Sequence, residues 1–196
     1  MSTLMRASEV EKRPVVTMDG VDVAQIKDIV YQPGGGQVAG FTLNGRGLFS
    51  GPRKDVLGWA AVSALGPDAV MIDSEDVLAS PAEAFAGDGS SSRGGHDDVL
   101  GSEVLTDTGT NLGKVVDVII EVSGQNDGQC DVVGYEIQSS EALANNGTKV
   151  LIPLPDTLAA SGQHLMVPAR ATEFVRNDLA GFGAAVDEFR SALKGE

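Results

Sequence analysis

The side chains with the strongest claim to chemistry are a carboxylate-rich loop, one cysteine, two histidines and a basic–aromatic loop. Asp107-Thr108-Gly109-Thr110-Asn111 opens like a calcium loop, in which alternate oxygens converge on one cation. Such a loop needs a bidentate Glu at its twelfth position. Residue 118 is Val, so the segment reads as a hairpin turn capped by its own Asp and Asn. His96-Asp97-Asp98 offers metal ligands, with His164 as the only other imidazole. It sits in a Gly/Ser stretch that cannot preset a coordination geometry. Cys130 is the single cysteine, which excludes an intramolecular disulfide and fits a reducing cytoplasm. Neither histidine has a sequence context that suggests a partner for the thiol. Gly34-Gly35-Gly36 lacks the following helix and Lys of a phosphate cradle. No catalytic constellation emerges, and the expectation is a protein that is not an enzyme, with no cofactor and no metal.

One segment reads instead as contact surface. Arg46-Gly47-Leu48-Phe49-Ser50-Gly51-Pro52-Arg53-Lys54 gathers three basic side chains beside Leu48 and Phe49, and Trp59 follows on the next strand. Arg and aromatic residues are enriched where interfaces are fully buried. Arg46, Leu48, Phe49, Arg53, Lys54 and Trp59 are therefore the candidate partner-binding set, for an acidic or peptide partner. The competing reading folds Phe49 back onto the protein.

The elements that must position these residues occur twice. Gly20-Val21-Asp22-Val23-Ala24-Gln25-Ile26-Lys27-Asp28-Ile29 and Gly109-Thr110-Asn111-Leu112-Gly113-Lys114-Val115-Val116-Asp117-Val118 align at an offset of 89. Val38 to Leu43 then aligns with Val132 to Ile137 at 94, and Val70 with Leu165 at 95. A repeat this long means two copies of one small domain. Each copy predicts a strand into a tight Gly turn, a hairpin (23–31 with 38–43; 115–122 with 132–137), a third strand (55–59; 149–153) and a closing strand (69–72; 164–167). The change of offset falls in the loop Ser123 to Gln129, where an insertion belongs. Short strands with Gly-rich turns bury a core best by closing into a barrel. Asp28 and Asp117 then sit where a strand bends, accepting backbone donors.

The boundaries follow: domain one at 1–79, a Gly/Ser linker at 80–98, domain two at 99–170 and a C-terminal helix at 171–196. In the linker, Ser80-Pro81 caps one helical turn. Leu179, Phe182, Val186, Phe189 and Leu193 form an amphipathic stripe that packs on a barrel or pairs between chains. Residues 1–80 carry 7 basic and 10 acidic groups and residues 81–196 carry 7 and 18, for a net charge of −14. That balance disfavours nucleic acid and anionic membrane surfaces. No apolar run is long enough to cross a bilayer, and the charged first fourteen residues do not resemble a signal peptide.

These residues resemble the PRC-barrel domain, known from the photosynthetic reaction centre H subunit and the ribosome maturation factor RimM. Arg6-Ala7-Ser8-Glu9-Val10 with Arg13-Pro14-Val15-Val16 is similar to the family's opening. Its hallmark of a turn glycine, a Leu/Ile-Gly pair and hydrophobics around an Asp is met by Asp107, Gly109, Leu112-Gly113, Val115, Asp117 and Val118. Copy one has Asp19, Gly20, Val23, Ile26, Asp28 and Ile29, with Ala24 in place of the usual Gly, which suggests a changed turn. The resemblance spans about residues 4–75 and 98–170. It implies a six-stranded β-barrel adaptor without catalytic residues. The expected fold is mainly β: two tandem small PRC-like β-barrels plus a C-terminal amphipathic helix. The expected function is a non-enzymatic cytoplasmic adaptor holding a protein partner on barrel loops. The alternative is a small-ligand or metal sensor in the inter-barrel cleft. Whether the barrels act separately or as one body stays open at this point.

Overall fold

The computed structural model describes residues 2–33, 36–47, 50–86, 96–123, 128–143, 147–155, 159–161 and 164–195. The chain opens with β1 (Ser2–Arg6) and a helical turn, α1 (Ala7–Val10). Copy one follows as β2 (Pro14–Thr17), β3 (Asp22–Tyr31), β4 (Val38–Asn44), β5 (Pro52–Gly58), β6 (Ala64–Leu65) and β7 (Val70–Ile72), then a turn, α2 (Pro81–Ala84). A third helical turn, α3 (His96–Val99), leads into copy two. That copy runs β8 (Glu103–Thr106), β9 (Asn111–Ser123), β10 (Gln129–Ser139), β11 (Lys149–Pro153), β12 (Ala159–Ser161) and β13 (His164–Val167). The helix α4 (Leu179–Lys194) completes the described chain.

The two sheets have one topology. Copy one is ordered β5-β4-β3-β2-β7-β6 and copy two β11-β10-β9-β8-β13-β12. The hydrogen-bonded path is open in both. Among the described residues, isolated bridges Val56–Ala79 and Leu151–Arg176 cover the outer edges of β5 and β11. Each sheet curls until strands from both ends share one core, as Leu57 of β5 does with Val70 of β7.

Register explains why the strands do not alternate cleanly. Ile26 faces Leu43 and Asp28 faces Thr42, leaving Lys27 as a bulge; Val115–Ile137 and Asp117–Glu136 repeat this around Val116. A bulge shifts side-chain phase by one, so Ile26 and Ile29 both point inward though three apart. A second bulge at Ala39 and Val133 lets Val38 and Phe41, or Val132 and Tyr135, share the core. Beside it, Gly40 and Gly134 admit a neighbouring backbone. An added Cβ would lie 2.2 Å from the Leu57 carbonyl oxygen at Gly40, and 2.6 Å from the Ile152 carbonyl oxygen at Gly134.

The first hairpin is likewise duplicated. Thr17 N–H donates to Val21 O and Gly20 N–H to Thr17 O, as Thr106 does to Thr110 and Gly109 to Thr106. Gly20 and Gly109 hold positive φ of 87° and 83°, the left-handed position that closes this turn. Ala24 does not change it. Val15–Ala24 and Val16–Asp22 match Val104–Gly113 and Leu105–Asn111, and only the φ of 138° at Gly113 is given up.

Three features depart from the expected string of two barrels. First, β1 does not join copy one. It pairs antiparallel with β9, from Ser2–Ser123 to Arg6–Ile119. Likewise α1 rests against β9 of copy two while α3 rests against β3 of copy one, so the copies exchange their opening turns. Residues 96–98, expected as linker, are therefore helical and docked as part of α3; residues 87–95 lie outside the described set. Second, the five-residue insertion does not simply loosen the loop. It lengthens the β9–β10 arm by the pairs Glu121–Asp131, Val122–Cys130 and Ser123–Gln129, and that arm is where β1 lies. Third, Met5, Tyr31, Cys130 and Tyr135 belong to one continuous core spanning both copies. The barrels are a single body.

The C-terminal helix packs on the outer face of copy two. Asp178 caps it by accepting from Gly181 N–H at 2.8 Å. Phe182 and Val186 pack on Ile119, Val133 and Leu151, while Phe189 joins the main core. Each such burial contributes about 2 kcal/mol, and it occupies the stripe that would pair between chains. Copy one covers its matching face with Phe85, packed on Ala39 and Val56 after a Ser80–Glu83 capping box.

Candidate functional site

The polar residues singled out by the repeat are engaged in building the frame. Asp28 Oδ1 accepts from Ile29 N–H at 2.7 Å and Asp117 Oδ1 from Val118 N–H at 2.8 Å, each just past its bulge. Buried Asp117 also accepts from Ser8 N–H at 3.2 Å and from the Ser8 hydroxyl, which ties α1 to copy two. The neighbouring Glu136 is 7% exposed and receives Arg6 Nε at 3.0 Å and Nη2 at 2.7 Å. That hydrogen bond raises the pKa of Arg6 and fixes the charged pair against β1. The calcium-like loop is a closed turn: Thr106 Oγ1 accepts from Thr110 N–H at 2.9 Å, and Asp107 Oδ1 from Ala169 N–H at 2.9 Å. His164 Nε2 lies 3.5 Å from Glu103, whereas the His96 and Asp97 side chains lie outside the described set. Among the described residues no group of three or more His, Cys, Asp or Glu is placed to hold a metal. Burial pushes the Cys130 thiol far above its ordinary pKa, leaving it unionised.

The expected contact set divides between two ends of copy one. Arg46 pairs with Asp22 at 2.5 Å. Arg53 donates to the Val23 carbonyl at 3.0 Å and pairs with Glu75 at 3.0 Å and Asp55 at 3.2 Å. Burial lowers the Arg53 pKa, but these hydrogen bonds outweigh it and hold the guanidinium above its usual value. Lys54 is exposed beside them, and Leu48 and Phe49 lie outside the described residues. Trp59 is not part of this surface. It follows the far end of β5, about 20 Å from Arg53 at strand spacing. Its ring meets Phe41 edge-on at 6.2 Å, and its indole N–H donates to Gly128 O at 2.7 Å. Trp59 thus clamps copy one to the long arm of copy two, because a half-buried indole N–H needs an acceptor.

Sequence reasoning missed two residues at the Arg46–Arg53 end. Met18 and Val21, on the β2–β3 turn, are 58% and 52% exposed, the largest values among the exposed large hydrophobics. Val21 adjoins Asp22, the partner of Arg46. Met18 N–H donates to Ile72 O at 2.9 Å, so the turn is held at the same end. The signal lay in the repeat: offset 89 puts Asp107 and Thr110 at these positions in copy two.

A concavity joins the copies. A cleft of about 270 Å³ is lined by Gly36, Gln37, Gln129, Asp131, Val132 and Arg190. Gln37 Nε2 donates to Asp131 Oδ1 at 3.0 Å, and Val132 N–H to Gly36 O at 3.0 Å, so hydrogen bonds already cross its floor.

The description "PRC-barrel domain" matches residues 2–78 and again residues 95–173, each match beginning at the opening segment that the other copy receives. The chain belongs to the PRC-barrel family. It is a tandem PRC-barrel protein, and both matches run slightly beyond the limits expected from sequence. No curated protein matches the chain. PRC-barrel membership is consistent with a non-catalytic module. Among the described residues no helix is long and apolar enough to cross a membrane.

Proposed function

We propose that this tandem PRC-barrel protein is a non-enzymatic cytoplasmic adaptor that holds a protein partner on the turn end of its first barrel. One observation carries the reading. Two copies share a backbone, yet only copy one places apolar side chains, Met18 and Val21, in solvent at the hairpin turn. Where copy two carries Asp107 and Thr110 the turn closes equally well, so folding does not require Met and Val there. We read this pair of exposed apolar groups on one turn, which the fold does not need, as contact surface. The non-enzymatic part is supported by the buried carboxylates Asp117 and Glu136, whose oxygens hold α1 and β1 in place. The single buried thiol supports a reducing compartment, and a sequence pI of 4.4 opposes nucleic acid as the partner.

Affinity capture from native cell extract tests the reading, comparing wild type with Met18→Ser/Val21→Thr. The expected result is a specific protein retained by wild type and lost from the variant. Enrichment of no protein, with a metal or small molecule co-purifying instead, would replace the adaptor by a ligand sensor using the 270 Å³ cleft.

A further inference from the structure

We infer that the Met18–Val21 turn and the ion pairs around it form a docking face for a basic peptide segment of a partner protein, one apolar side chain flanked by Lys or Arg. This rests on the adaptor reading above and adds the chemistry of the partner. The apolar anchor follows from Met18 and Val21, which stand in solvent on a preformed turn. Thr17 Oγ1 fixes that turn by accepting from Val21 N–H at 3.0 Å, and Gly20 holds its positive φ of 87°. An anchor side chain meets a ready surface and little ordering cost.

The sign of the partner follows from the rim. The loop looked cationic in sequence, which would suit an acidic partner. In the structure its two arginines are already neutralised, Arg46 by Asp22 and Arg53 by Glu75 and Asp55. Those three carboxylates remain 37%, 56% and 48% exposed, so each can accept a further donor. Asp19 lies in the turn itself and Asp76 next to Glu75, in a chain of net charge −14. Among the described residues, Lys54 is the one exposed cation at this rim that none of these pairs includes, against five carboxylates. An acidic segment would therefore meet mainly like charge, whereas Lys or Arg beside the anchor would complete half-used carboxylates.

The test pans a random peptide library against the full-length chain and against full-length Met18→Ser/Val21→Thr. Enriched peptides should carry an aliphatic or aromatic residue flanked by Lys or Arg. A synthetic peptide of that consensus should bind wild type in a salt-dependent way and the turn variant about tenfold more weakly. The variant should keep the wild-type thermal midpoint, since copy two closes the same turn with polar residues. Asp22→Asn/Glu75→Gln should weaken binding several-fold and flatten its salt dependence. Enrichment of acidic or uncharged sequences would overturn the partner class while leaving a protein-binding face. Equal binding by the turn variant would overturn the surface. A wild-type dimer in solution that becomes monomeric in the turn variant would assign the face to a second copy of the chain and overturn the inference. No enrichment would overturn it too, while capture of a protein from extract would still uphold the adaptor.

Discussion

Arg6→Met should release β1 from copy two without unfolding the rest at once. In the native protein Arg6 Nε and Nη2 lie 3.0 and 2.7 Å from Glu136 Oε1, and the Glu136 side chain is 7% exposed. Removing one partner of a buried ion pair typically costs about 3 to 5 kcal/mol, because the remaining charge stays desolvated. Two features lower the figure here. Arg6 is itself 28% exposed, and Lys149 Nζ stays 3.6 Å from the other carboxylate oxygen. The expected loss is about 2 to 3 kcal/mol, read as a shifted urea midpoint. Methionine keeps the apolar stem, so the loss reports charge rather than packing. Glu136→Thr installs the residue found at the matching position, Thr42. Arg6→Met/Glu136→Thr should therefore cost at least about 1 kcal/mol less than the sum of the single variants. Hydrogen exchange should show β1 and the end of β9 opening ahead of the remaining strands. A loss under about 0.5 kcal/mol, or strict additivity in the double variant, would refute the clamp.

Two further outcomes follow. Gly40→Ala and Gly134→Ala would each set a methyl against fixed backbone atoms, the Leu57 carbonyl at 2.2 Å and the Ile152 carbonyl at 2.6 Å, and should lower stability by about 3 kcal/mol or more in thermal melts. The second requirement concerns alkali. Cys130 and Tyr135 are both raised by burial, so their neutral forms contribute full stability below the unfolded pKa values of about 8.5 and 10. That contribution is lost as pH climbs above those values toward the folded ones. Stability should therefore fall from about pH 8.5 upward, and Cys130→Ala should remove the first part of the fall; an unchanged alkaline profile in that variant would contradict it.

Much of the fold could be read from spacing, because a duplicated sequence checks its own alignment. Gly40 and Gly134 stand 94 apart for one steric reason, and Asp28 and Asp117 stand 89 apart at one bulge. The stripe on α4 was visible because helical spacing needs no distant partner. What sequence hid was every feature whose cause lies in the other copy. Five residues from Ser2 to Arg6 show no strong strand pattern, and their partner lies beyond residue 118. Trp59 looked available because its acceptor, Gly128, comes 69 residues later. The cover of the two outer faces was also obscured. Ser80-Pro81 with Phe85 and Asp178-Leu179 with Phe182 do one job with almost no shared residue types. At the candidate site, the Arg46–Arg53 cluster was legible but its neutralisation was not, since Asp22 and Glu75 come from other elements.

The crossing of β1 onto β9 also orders events during synthesis. Ser2 to Arg6 leave the ribosome more than a hundred residues ahead of Ile119 to Ser123, which must emerge before the two can pair. Meanwhile copy one has all its own strands and can curl around Ile26, Phe41 and Leu57. Its leading strand trails free, with Met5 uncovered and Arg6 without Glu136. Bringing such distant segments together costs roughly 4 kcal/mol in loop closure, which only the completed second hairpin can offset. In the interval the nascent chain displays an unpaired strand, the kind of edge that invites chaperones or a neighbouring chain. β1 is made ahead of every strand of copy one and placed after all of them.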